Sequence, residues 1–127
     1  MTELELKKRT KKFALDIIAI VELLPKDKSA GHIGHQLLRA ATSIGANYRS
    51  ACRAKSGADF IAKLAICEEE ADECQYWIEL LVESNKAKPE AFRSLWKEAS
   101  ELTAIITASL KTAKANKGKI QNSKSKV

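Results

Sequence analysis

The stretch IGHQLLRAATSIGANYRSACRAKSGADFIAKLAICEEEADECQYWIELL, residues 33–81, decides the fold. Ile33, Leu37, Ala40 and Ile44 recur in alternating steps of four and three, the period of a helix with one apolar stripe. Asn47 takes the next step in place of an apolar residue, and Ala51 resumes the stripe. Phe60, Leu64, Cys67, Ala71, Cys74, Ile78 and Leu81 then repeat the same spacing. Between the two runs, Ser56 and Asp59 form an S-x-x-D pattern, a helix-start signal of capping-box type. The stretch is therefore predicted to be a helical hairpin turning near residues 54–56. In such a hairpin, opposed core positions have numbers that sum to about 111, so Ile44 faces Cys67 and Ala40 faces Ala71. Arg39 then lies level with the acidic run of the second helix. Arg39, Ser43, Asn47, Glu70 and Glu73 are predicted to form a polar lock between the two helices. A buried ion pair of this kind fixes register more than it adds stability.

Outward from the hairpin, Leu6, Phe13, Ile17, Ile20 and Leu24 share one face of a helix over about Glu3–Leu24, stopped by Pro25. The polar link PKDKSAG leads into the second helix, predicted over about His32–Arg53. The third is predicted from Ser56 to near Ser84-Asn85. A fourth opens at Pro89, a favoured first-turn residue, and carries Phe92, Leu95, Ala99, Leu102 and Ile106 to about Ala115. Four such helices with short links predict an all-α, antiparallel, up-down-up-down four-helix bundle over residues 1–115. Residues 116–127, NKGKIQNSKSKV, are predicted to be a disordered basic tail.

The second helix carries a further stripe: Gly34, Leu38, Ala41, Gly45 and Tyr48. A glycine inside a helix costs about 1 kcal/mol relative to alanine, so close approach by another backbone should offset it. The stripe could widen the face toward helices 1 and 3, or meet another subunit. The reading adopted is self-association through these five residues.

The net charge of +6 lies wholly in the last seventeen residues, because residues 1–110 hold 16 basic and 16 acidic residues. Within the body, Lys7, Lys8, Arg9, Lys11 and Lys12 cluster on helix 1, and Arg49 and Arg53 share a face at the end of helix 2. With Lys117 and Lys119 of the tail they are the candidate nucleic-acid contacts. No aromatic residues interleave them, so binding would be led by phosphates and weakly selective for sequence.

Catalytic chemistry finds no support. The two histidines, His32 and His35, have no glutamate three residues before them, as a carboxylate-bridged dimetal site in a bundle would require. No phosphate-binding glycine loop and no G-x-S-x-G is present. Cys52, Cys67 and Cys74 form no C-x-x-C pair, and the last two fall in the apolar stripe as small core residues. No metal, cofactor or enzymatic activity is expected. No apolar run approaches the roughly 20 residues of a membrane span, and a cytoplasmic protein is expected.

The hairpin resembles the four-helix-bundle proteins encoded within intervening sequences of bacterial large-subunit ribosomal RNA genes. Gln36, Arg39, Ala40, Ala41, Ser43, Ile44 and Asn47 match the family's Q-x-x-R-A-A-x-S-I-x-x-N. Lys55-Ser56, Phe60, Leu64 and Glu73 match its basic-Ser turn, F-x-x-x-L and central Glu. Many relatives carry Pro where Gly45 stands and Glu-Gly where Ser50-Ala51 stand. The resemblance implies a four-helix bundle that assembles as a homopentamer. The accessory protein of diversity-generating retroelements looks similar, which implies RNA or DNA as a partner, together with a reverse transcriptase or another protein. The function expected is thus a non-enzymatic oligomer that binds RNA or DNA through basic surfaces. The alternative is a protein–protein adaptor or scaffold without nucleic-acid affinity.

Overall fold

The structure, a computed structural model, describes the backbone of residues 1–125 and the side chains of residues 1–118. It holds four helices, α1 (Glu3–Val21), α2 (Lys28–Ala51), α3 (Gly57–Glu83) and α4 (Pro89–Ser125). Each of the first three starts where a side chain satisfies an orphan backbone N–H. Thr2 accepts from the Glu5 amide while Glu5 accepts from the Thr2 amide, a complete capping box. Asp27 accepts from the Ala30 amide at 2.9 Å, and Ser56 from the Asp59 amide at 3.1 Å. The Asp27 cap starts α2 four residues before the predicted His32, so both histidines stand exposed inside the helix. At the far end of α3, Asn85 adopts a left-handed backbone (φ 61°), and the Lys86 amide reaches back to the Leu81 carbonyl at 2.9 Å. This is a Schellman closure, with Asn where glycine is commonest.

Contacts along each seam run in opposite directions, which makes neighbouring helices antiparallel. The Cys67 thiol donates to the Ile44 carbonyl at 3.5 Å, while Lys86 pairs with Asp27 at the other end of the α2–α3 seam. The Ile44–Cys67 contact lies on the register inferred from the stripes. On the α3–α4 seam Thr107 meets Glu68 and Trp96 meets Glu79. The core between the helices includes Phe13, Ile17, Leu37, Ile44, Leu64, Ile78, Phe92 and Leu102, all essentially inaccessible. Cys67, Ala71 and Cys74 provide the small surface that lets α3 sit close to its neighbours.

One expectation is narrowed and another is corrected. The second stripe of α2 faces α1 within the molecule. A Cβ built on Gly34 would come within 2.9 Å of a Leu24 methyl, and one on Gly45 within 3.3 Å of the Thr10 hydroxyl. Ala41 and Tyr48 are buried, and Leu38 is half-buried against the same core. Close packing against α1 offsets the glycine cost, and Gly34, Ala41 and Tyr48 are spent on contacts within the molecule. Likewise α4 does not end near Ala115 but continues through residues 116–125 as helix. Ala, Lys and Gln there favour helix, and a single glycine at 118 costs only about 1 kcal/mol. Of the expected contacts, Lys119 has its side chain outside the described ones.

Candidate nucleic-acid interface

The antiparallel topology gathers basic segments that are far apart in sequence. The start of α1, the end of α2, the start of α3 and the end of α4 meet at one end of the bundle. There Glu3, Tyr48, Ala51, Cys52 and Phe60 share one depression, and Phe60 shares another with Thr112, Ala113 and Asn116. Lys7, Lys8 and Lys11 from α1 and Arg49 from α2 line a single open groove of about 380 Å³. Its floor is small and weakly polar: Leu4, Ala14, Thr42, Gly45 and Ala46. Beneath the groove Gly45 lets α2 come close to α1: a Cβ there would lie 3.3 Å from the Thr10 hydroxyl, which donates to the Leu6 and Lys7 carbonyls at 2.9 and 3.1 Å. Lys8 and Lys11 are exposed and make no ion pair among the described residues, and the same holds for Arg49 and Arg53.

Other candidates are diverted. Arg9 leaves the basic face and grips α4, donating to Glu98 at 2.8 and 2.6 Å and to Glu101 at 2.6 Å. The Glu98 bond holds its guanidinium above the ordinary arginine range. Lys12 pairs with Asp16 at 2.7 Å, and Lys7 with Glu3 at 3.3 Å, although Lys7 still edges the groove. Arg53 is exposed beyond the groove, and Lys117 stands on the α4 end. The sequence could not reveal the fate of Arg9, because it depends on the register between α1 and α4. The floor residues were missed too. Leu4, Lys8, Lys11, Leu15 and Ile18 do repeat in steps of four and three, a stripe on the side of α1 away from the core.

On the opposite flank, Arg39 lies between α2 and α3. It donates to Glu70 at 3.3 Å, to Glu73 at 2.7 Å and to the Gln36 side-chain oxygen at 3.2 Å. The contact with Glu70, ahead of that with Glu73, holds the guanidinium above its ordinary range. Glu73 also accepts from the Trp77 indole at 2.9 Å. Ser43 and Asn47 do not join this bridge. The Asn47 amide donates to the Ser43 carbonyl at 2.9 Å and hydroxyl at 2.8 Å, one turn back on its own helix. The expected lock between helices is therefore the Arg39–Glu70–Glu73 set alone. The pair Ser43–Asn47 is a local bond, because residues four apart face each other along a helix. The site is a surface one: Arg39 is 44% exposed, so its pairing is worth about 1 kcal/mol at most.

Acid collects elsewhere. α3 carries eight acidic residues against one lysine. Glu69, Asp72, Glu79 and Glu83 are exposed on it, away from the α1–α2 groove. Among the described residues, no group of His, Cys, Asp and Glu is placed to hold a metal ion, and no helix is long and apolar enough to cross a membrane.

The model of the 23S rRNA-intervening sequence protein family matches residues 2–108. The chain belongs to that family. It is also similar to a crystal structure of a protein of unknown function, from the S23 ribosomal protein family of Bacteroides thetaiotaomicron VPI-5482. The two share 34% identity over 87% of this chain and 99% of that one, with a TM-score of 0.80. Comparison with curated proteins found no match. The groove residues and Arg39 all fall inside the family match, whereas the last lysines of α4 fall outside it.

Proposed function

We propose that this family member is a non-enzymatic, cytoplasmic protein that binds RNA or DNA at the basic end of its bundle. One observation carries the reading: Lys7, Lys8, Lys11 and Arg49, from two helices, converge on one groove. Lysine and arginine on a shared surface release counterions when they meet phosphates, and that release drives binding without reading sequence. Lys111, Lys114 and Lys117, at steps of three, add positive charge on the stretch of α4 that borders Phe60 at the same end of the bundle. The test is a binding titration over a salt series. The wild-type affinity should fall steeply with salt, and the pair of substitutions Lys8→Glu and Lys11→Glu should weaken binding about equally for unrelated sequences. Both side chains are exposed, so the fold should survive, with circular dichroism as control. Absence of binding at low salt would leave the adaptor reading.

That second reading has its own observation. Leu4, Leu15 and Ile18 of α1 are 61%, 56% and 41% exposed. An apolar stripe of this kind suits contact with another chain, and self-association as a homopentamer is proposed through the outer face of α1 rather than the glycine stripe of α2. Sedimentation of the wild type against Leu15→Lys with Ile18→Lys tests it; an unchanged monomer in both would remove the proposal.

A further inference from the structure

We infer that the nucleic acid taken by the α1–α2 groove is double-stranded and is held from outside by its phosphates. This rests on the nucleic-acid reading above and adds the class of strand. A protein that holds a single strand gains affinity by stacking bases on aromatic side chains, worth roughly 5- to 150-fold per base. The groove cannot supply that term. Its floor between the lysines is Leu4, Ala14 and Ala46, with no aromatic ring among its lining residues. The exposed aromatic side chains are Tyr76 and Trp96, and neither lines the groove; Arg93 and two carboxylates share the depression that Trp96 lines. Trp96 is bonded to Glu79 at 3.0 Å beside Glu83, and Tyr76 follows Asp72 and Glu73 on α3. By the register of the α2–α3 seam, Tyr76 is also about fourteen residues up the axis from Arg49, or ~21 Å. A strand whose phosphates meet the lysines would carry them toward carboxylates to reach either ring. Phe60 is the one aromatic side chain at the basic end that is even half exposed, and it packs on the core.

A duplex suits what is present. It carries one charge per ~1.7 Å of axis, counting both strands, so more phosphates come within reach of a fixed set of cations than on a single strand. The cations stand on α-helices, which hold them as a rigid array rather than as loops that wrap a flexible strand. Recognition through phosphates alone suits RNA and DNA duplexes alike, so both belong in the test.

The experiment is fluorescence anisotropy with labelled 20-nucleotide oligomers, each used as single strand and as matched duplex, in RNA and in DNA, at low and at physiological salt. Duplexes are expected to bind at least about tenfold more tightly than their own single strands. The pair Lys8→Glu and Lys11→Glu should remove most of that affinity, while Phe60→Leu should change nothing. Single strands bound as tightly as duplexes overturn the inference and leave the nucleic-acid reading standing. Single-strand binding that falls with Phe60→Leu overturns it too, because a stacking contact would then be in use. Duplex binding indifferent to the lysine substitutions overturns the assignment to this groove. No binding of any oligomer at low salt overturns the nucleic-acid reading, and this inference with it.

Discussion

Gly31 and Gly45 stand on the same helix and meet opposite surroundings. Nothing lies within 4 Å of a Cβ built on Gly31, so Gly31→Ala should gain about 0.5–1 kcal/mol from helix propensity. A Cβ on Gly45 would press the Thr10 hydroxyl at 3.3 Å, and Thr10 is wholly buried with that hydroxyl committed to two carbonyls. Overpacking should outweigh propensity there, and Gly45→Ala should lose about 1 kcal/mol. Urea midpoints of the two variants check this; stabilisation by both would mean that α1 and α2 do not pack closely. The cysteines allow a second prediction. Burial pushes the Cys67 thiol up to about 12 and raises Cys74 further, and neither is accessible. Cys52 is half-buried, its thiol raised by burial and then by Glu3. Native protein should therefore displace at most one equivalent of thiolate from a disulfide reagent at neutral pH, slowly, with two more on unfolding. Three fast thiols would contradict the core. That Cys67 and Cys74 belong to the core was legible from their place in the stripe, whereas the partner of Arg9 was not, because no local pattern states which distant carboxylate a side chain will meet.

At the scale of the element, periodicity located all four helices, and caps decided where the first three begin. Ser56 was recognisable because Asp59 follows it at the right spacing; Asp27 was overlooked inside the polar link PKDKSAG, and α2 begins one turn earlier than predicted. The Asp27 carboxylate is held below its ordinary range by the Ala30 amide first and by Lys86 second. A depressed pKa contributes stability that is present above the unfolded value of 3.8 and is lost as pH falls through the folded value. Asp27→Asn keeps an N-cap of similar quality but cannot titrate. Between roughly pH 5 and 3, wild-type stability should thus fall more steeply than that of Asp27→Asn, other carboxylates being common to both. Parallel curves from thermal melts would show that the cap does not titrate in this window. The second α2 stripe was open to two readings for a related reason. Small residues in a helix announce that something comes close, but not whether it is α1 or another subunit, and only the α1–α2 packing decides between them.

The whole molecule turns three basic stretches that look unrelated in sequence into neighbours, through topology alone. Once four antiparallel helices are accepted, residues near 8, 49 and 115 must share an end, so the clustering was derivable; the groove was not, since it depends on how deeply α1 settles against Gly45. The end of α4 raises the remaining question of how much of the positive charge belongs to the binding surface. α4 has 37 residues, about 55 Å, and Leu110 is the last buried one among its described side chains. Phe60, near the start of α3, still borders Thr112, Ala113 and Asn116, so the helix is supported to about that level. Deleting residues 119–127 removes Lys119, Lys124 and Lys126 and leaves every core residue named above in place. The melting temperature should be unchanged. If all three lysines meet phosphate, the slope of log affinity against log salt should shrink by up to about 2.7 for a duplex, at ~0.9 per phosphate contact. The Lys8→Glu and Lys11→Glu pair should shrink it independently, since the sites are separate and their effects should add. An unchanged slope on deletion, with the groove variant still losing affinity, would confine the contact to the body. A drop in melting temperature on deletion would instead mean that the end of α4 packs on the bundle, and the loss of charge and the loss of fold would then have to be separated by Lys→Gln substitutions at the same three positions.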